Sequence, residues 1–216
     1  MLISEKLNTI IRVLLVNHFE GRLDLTLSEL AKEANITNGM AKRIALNLER
    51  SGYVRIVGRV KLIKPMKLMD AWGYLYSLRE LERLEYVLAE RPQYAIMKIS
   101  NWARAKNMNY AFTLFSATEK ISPYVSPSNT HIYIRKEDVP EWDKFFKGEG
   151  ILPIEKEGNI ICLIVNDDYF KGIQNIRDVK IVSLPQLYAD LMSQEGRGEE
   201  AAQELKKLIK ENNNKM

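Results

Sequence analysis

Between Thr26 and Lys64 the apolar residues change their spacing, and that change dictates an order of elements. Thr26-Leu27-Ser28-Glu29 is a capping box, in which the hydroxyl and the carboxylate each satisfy a backbone N–H of a helix's first turn. Leu25 and Leu30 stand at the staple positions, and the helix runs to about Ala34. Asn35-Ile36-Thr37-Asn38 breaks it before Ala41, Ile44, Ala45 and Leu48 recur on one face as far as Gly52. From Tyr53 the apolar positions alternate with basic ones on either side of Gly58, which predicts a short hairpin over residues 53–63, closed by Pro65. Upstream, Ile3, Leu7, Ile10, Ile11, Leu14 and Leu15 mark one face of a first helix over residues 3–18, with Glu5, Lys6, Asn8 and Arg12 assigned to its polar side.

Charge is unevenly divided along this pattern. Residues 1–64 carry 11 Lys/Arg and 6 Asp/Glu, a balance of +5, whereas the remaining 152 residues carry 21 and 22. Lys42, Arg43, Arg50, Arg55, Arg59, Lys61 and Lys64 fall within one stretch whose single acid is Glu49. Three helices followed by a basic hairpin is the order of a winged helix-turn-helix. A recognition helix needs one buried face and a polar or basic face at its N-terminal end. Thr37, Asn38, Gly39, Lys42, Arg43 and Asn47 supply hydroxyl, amide and guanidinium groups for base edges and phosphates, and Arg43 is the leading choice for a bidentate guanine contact. Thr37 also suits a helix cap. Arg55, Arg59 and Lys61 place positive charge on the wing, where phosphate contacts need no exact geometry. The expected partner is double-stranded DNA, read by a homodimer; a protein-interaction module that has lost DNA binding is the alternative.

Further along, residues 66–86 read as one helix rich in Leu, Met and Trp, and the domain boundary is placed near Lys64 to Lys67. Helical and β-rich segments then alternate. Strands are expected at 110–115, 131–134, 151–154, 159–165 and 179–183, helices at 94–106, 116–121 and 139–147, and Pro185 starts another helix at Gln186. The fold class is therefore α+β: a winged helix-turn-helix over 1–65, a connecting helix over 66–90, and a mixed α/β regulatory or interaction domain with a C-terminal helix over 91–216.

A narrower signal lies in this second part. Residues 110–123 (YAFTLFSATEKISP), the strand at His131 to Ile134, residues 182–192 (VSLPQLYADLM) and Gly196-Arg197-Gly198-Glu199-Glu200-Ala201-Ala202 resemble the AbiEi family of antitoxins and transcriptional regulators. Residues 26–63 resemble winged helices of the MarR or archaeal regulator kind. The AbiEi resemblance implies a type IV toxin–antitoxin system, a nucleotidyltransferase-like toxin as partner, and a second domain that mediates interaction or neutralises the toxin. A stand-alone winged-helix regulator is the other reading.

Catalysis is not expected. Nucleotidyl transfer needs a Gly-Ser turn and strand carboxylates for magnesium, but Phe115-Ser116 stands where the turn would be and Thr130 to Ile134 has no acid. Asp167-Asp168 reads as a turn, and His18 and His131 lack companions at ligand spacing. Trp72, Trp102, Trp142 and Cys162 read as packing residues, and Gly196-Arg197-Gly198 as a helix break. No cofactor and no metal site are expected. One cysteine cannot form an internal disulfide, and the longest strongly apolar run, Ile160 to Val165, is far short of the roughly 20 residues of a membrane helix. A cytoplasmic location without membrane contact is the expectation.

Overall fold

The computed structural model of the chain describes residues 4–121 and 127–213. Ile3, the Ser122-Pro123 end of the motif that begins at Tyr110, and the last residues of the tail lie outside the described residues.

The N-terminal part follows from its caps. Ser4 caps α1 (Glu5–Phe19), and a two-residue strand β1 (Asp24–Leu25) leads to α2 (Leu27–Glu33), whose capping box is fully formed. Asn35 turns the chain in the left-handed region, at φ 49°, and α3 (Asn38–Arg50) begins behind the Thr37 cap. β2 (Val54–Val57) and β3 (Arg59–Leu62) pair antiparallel around Gly58, and β1 joins the outer side of β3 to give the order β1-β3-β2. This is a winged helix.

α4 (Pro65–Leu75) corrects the sequence reading. The helix expected to reach Tyr86 ends at Leu75, a 3-10 turn covers Leu78–Glu80, and Arg83–Val87 is a strand, β4. The apolar residues of this segment fit either element, and pairing decides between them. β4 lies between two antiparallel neighbours, which satisfy backbone groups that a solitary helix would satisfy alone.

α5 (Pro92–Ala105), β5 (Tyr110–Phe112), α6 (Leu114–Ile121), β6 (Thr130–Arg135), α7 (Val139–Gly148), β7 (Leu152–Ile154) and β8 (Ile160–Val165) follow. β9 (Gln174–Ile176) and β10 (Val179–Ile181) close a hairpin, and α8 (Leu184–Met192) and α9 (Gly198–Asn213) end the chain. The strands form one mixed sheet in the order β7-β4-β8-β6-β5-β10-β9, with β6–β8 and β5–β10 parallel. β9 was not foreseen; its turn places Arg177 and Asp178 at positive φ without a glycine, so it lacks the usual sequence mark. Every residue of β8 is buried, Cys162 included, as expected for a central strand covered on both faces. Trp142 and Phe146 are buried in an aromatic cluster in which Trp102 stacks on Phe145 at 4.2 Å between centroids. The packing roles read for the tryptophans therefore hold. The architecture is α+β.

A second correction concerns α1. Asn8 and Arg12, which fall off the apolar face of the amphipathic pattern, are buried, because α1 packs on α2 and α3 and also on α4 and α8. Arg12 Nε donates to Gln186 Oε1 at 2.6 Å, and Trp72 Nε1 donates to Asn8 Oδ1. Gln186 Nε2 donates to Asp190 Oδ1 at 2.7 Å, one helical turn on, and Asp190 also accepts from Tyr133 Oη at 2.7 Å and from Thr113 Oγ1. The Pro-Gln-Leu-Tyr-x-Asp-Leu segment thus carries a buried polar chain from α1 through α8 to the sheet. Burial pushes the Asp190 carboxyl up to about 6, against hydrogen bonds from Thr113, Tyr133 and Gln186 that pull it down.

The Gly-Arg-Gly break is steric. Gly196 takes φ 76°, and a Cβ on Gly198 would stand 2.3 Å from the Leu191 carbonyl oxygen, so α9 starts there only without a side chain. Gly198→Ala is expected to destabilise the fold by about 1–3 kcal/mol, read by urea denaturation. Asp190 yields a pH dependence of definite sign. Its folded-state pKa is raised, so its contribution to stability is present below the ordinary aspartate range and is lost as pH climbs to about 6. Relative to Asp190→Asn, wild type should lose up to about 3 kcal/mol between pH 4 and 6 and then level off; a flat difference across that range refutes the assignment.

Candidate nucleic-acid interface

The recognition helix is held by its apolar side. Ala41, Ile44, Ala45 and Leu48 are buried, with Ile36 and Met40 packed partly against the same core. The opposite side is open: Thr37, Asn38, Gly39, Lys42, Arg43 and Asn47 are all exposed. Thr37 Oγ1 accepts from Met40 N at 3.3 Å and so acts as the cap. Asn38–Lys42 and Gly39–Arg43–Asn47 form adjacent i,i+4 rows, which line four side chains along one face from its N-terminal end, with Thr37 at the cap. A Cβ on Gly39 would meet nothing within 4 Å, so packing does not require that glycine.

On the wing, Arg55 and Lys61 are direct cross-strand partners, and both are exposed. Like charges facing each other across a ladder are unfavourable for stability. Among the described residues, Lys42, Arg43, Arg50, Arg55, Lys61 and Lys64 make no ion pair; the nearest acid in sequence, Glu49, is otherwise engaged. Its Oε1 accepts from Ile56 N at 2.6 Å, which ties the end of α3 to the wing.

Arg59 differs from its neighbours. It donates through Nε to Asp24 Oδ1 at 2.5 Å and through Nη2 to Glu29 Oε2 at 3.0 Å, while Arg22 pairs with Glu29 and Glu33. Glu29 is held down to about 2 by hydrogen bonds from the backbone and side chain of Thr26, with Arg59 and Arg22 adding to the effect. The structure therefore brings Thr37, Asn38, Gly39, Lys42, Arg43, Asn47, Arg55 and Lys61 to open surface and commits Arg59 to bracing the wing against α2.

Of the residues considered for catalysis, Ser116, Asp167 and Asp168 have structural partners. Ser116 Oγ donates to Asn129 O and accepts from His131 N. Asp168 pairs with Lys171, and Asp167 lies 3.7 Å from Arg135 in the 3-10 turn Asp167–Phe170. His131 is half-buried, and its imidazole is pushed down to about 4 by desolvation and by Arg83. Burial raises the Cys162 thiol. Sequence reasoning missed Asp24, Glu49 and Arg12. The clearest available signal was Arg12 itself, an arginine inside Ile10-Ile11-Arg12-Val13-Leu14, where apolar residues occupy more than one helical face.

Three helices and a small sheet with an exposed basic face are joined through α1 and α4 to a larger mixed sheet. The family model described as transcriptional regulator, AbiEi antitoxin, type IV toxin–antitoxin system matches residues 61–211, and the chain belongs to that family. No curated protein and no solved structure gives a match. The matched span runs from the wing strand β3 into α9, so it leaves α1, α2 and α3 to be judged by their own geometry. No helix among the described residues is long and apolar enough to cross a membrane.

The Glu49 contact can be tested separately from any ligand. Glu49→Ala is expected to destabilise the chain by about 1–3 kcal/mol and to speed hydrogen exchange at the Ile56 amide. Unchanged exchange at Ile56 would show that the wing is held without it.

Proposed function

We propose that the winged helix binds double-stranded DNA sequence-specifically and that the protein represses transcription as a homodimer. The observation that carries this reading is the set of six cations, Lys42, Arg43, Arg50, Arg55, Lys61 and Lys64, left without ion pairs on α3 and around the wing while the neighbouring acids are committed elsewhere. α3 enters the major groove from its N-terminal end, where Asn38, Arg43 and Asn47 reach base edges and Lys42 reaches phosphate. Arg55 and Lys61 lie on the backbone, and their mutual repulsion is relieved when a phosphate comes between them. Arg59 acts indirectly, by holding the wing.

The mixed-sheet domain is the antitoxin part in this reading. Family membership supports a toxin partner in general, and the partner proposed is a nucleotidyltransferase-like toxin, neutralised by this domain without catalysis by the chain itself and in the cytoplasm. The hydrogen bonds of Ser116 and the ion pairs of Asp167 and Asp168 support a non-catalytic role, since each side chain is already occupied.

The deciding experiment is a titration of the full chain against a labelled duplex from its own upstream region and a scrambled duplex, at several salt concentrations. Log affinity should fall linearly with log salt, by about 0.9 per phosphate contact. Arg43→Ala should weaken the cognate duplex selectively by about 1–3 kcal/mol. Lys61→Ala should weaken both duplexes alike, and it should leave thermal stability unchanged or raise it by a few tenths of a kcal/mol. Equal affinity for the two duplexes at about 0.15 M salt sinks sequence-specific recognition, and no binding at low salt makes the winged helix a protein-interaction module.

A further inference from the structure

A cleft of about 450 Å³ opens where α1 meets the mixed-sheet domain, walled by α1 on one side and by the ends of α4 and β8 on the other. That volume lies in the range of small-molecule sites. Arg12 forms part of its floor. The residue is 1% exposed, its guanidinium carbon stands 3.9 Å from the centroid of the Tyr169 ring, and Nε is taken by Gln186. Its Nη2 is buried and has no acceptor. Buried donors are nearly always paired, and a stacked guanidinium with an open N–H is shaped for a carboxylate. Asp190 does not fill that position, because it connects to Arg12 through Gln186 and its oxygens already accept from Thr113, Tyr133 and Gln186.

The rest of the lining narrows the ligand. Glu5, Glu80 and Glu137 border the cleft, Glu137 with Arg135 3.4 Å away and Glu5 accepting from Asn166, together with the ion pair of Glu82 and Lys136, so acids outnumber the cations beside them. A plain anion is repelled by such a border, whereas a molecule with an ammonium at its outer end is attracted. Leu75 and Leu81 offer apolar surface between the two charged ends.

We propose that this cleft binds a small zwitterion of the amino-acid class, with its carboxylate on Arg12, its ammonium among the bordering glutamates and its apolar side chain against Leu75 and Leu81. The test is isothermal titration of the full chain with leucine, methionine, phenylalanine and tyrosine, and with phenethylamine and phenylpropionate, which lack the carboxylate and the ammonium respectively. At least one amino acid should saturate at submillimolar concentration, and both analogues should bind at least about tenfold more weakly than phenylalanine. Arg12→Lys keeps the charge but removes the planar fork, and should weaken the amino acid about tenfold or more. Because Arg12 is buried, an exposed pair gives a second arm: Glu5→Gln with Glu137→Gln should lower amino-acid affinity several-fold while raising that of phenylpropionate. No amino-acid binding up to about 10 mM overturns the proposal, as do analogues that bind as tightly as phenylalanine or a double variant that leaves their ratio unchanged.

Discussion

The fold depends on a guanidinium buried in the wrong-looking helix. Arg12 sits on an N-terminal helix whose apolar residues build the winged helix, yet its side chain runs into the other half of the chain, where Gln186 receives it and passes the chain of hydrogen bonds to Asp190. Burying a cation is costly unless it is paired and hydrogen-bonded, and here a carboxylate two links away and the face of Tyr169 share the compensation. Such an arrangement is demanding in geometry. It fixes how α1, α8 and β6 sit together more tightly than apolar contact would, because apolar surfaces tolerate sliding and hydrogen-bonded chains do not.

Other polar contacts repeat the same coupling. Tyr188 Oη and Lys206 Nζ both donate to Asp70, so α8 and α9 are each pinned to α4. Gly73 lets α4 approach α8 closely: a Cβ there would come within 2.9 Å of the Met192 side chain. The four helices α1, α4, α8 and α9 form a layer that the winged helix and the sheet both use, so a shift in one part meets resistance from the other.

Much of this was legible before any coordinates. The capping box at Thr26, the Thr37 cap, the alternation around Gly58 and the buried run at Ile160 to Val165 are local signals, each tied to one backbone requirement, and each led to the correct element. What stayed hidden depends on partners distant in sequence. Residues 83–87 carry no mark that separates a strand from the end of a helix until β7 and β8 are beside them. The commitment of Arg59 needs Asp24 and Glu29, 35 and 30 residues away, and a basic residue in a basic hairpin looks the same whether it is paired or open.

The two halves of the molecule differ in how their charges are balanced. In the mixed-sheet domain, whose charges nearly balance, Arg79, Arg104, Arg135, Lys136, Lys171 and Lys206 each have a carboxylate within 4.0 Å. Around α3 and the wing the acids are withdrawn into a cap, a backbone contact and an ion pair: Glu29 to Thr26, Glu49 to Ile56, Asp24 to Arg59. The cations that remain gain nothing from one another. Arg55 faces Lys61 across the ladder at a small cost in the free protein, and Asp24, which faces Lys61 from the other strand, is drawn instead to Arg59.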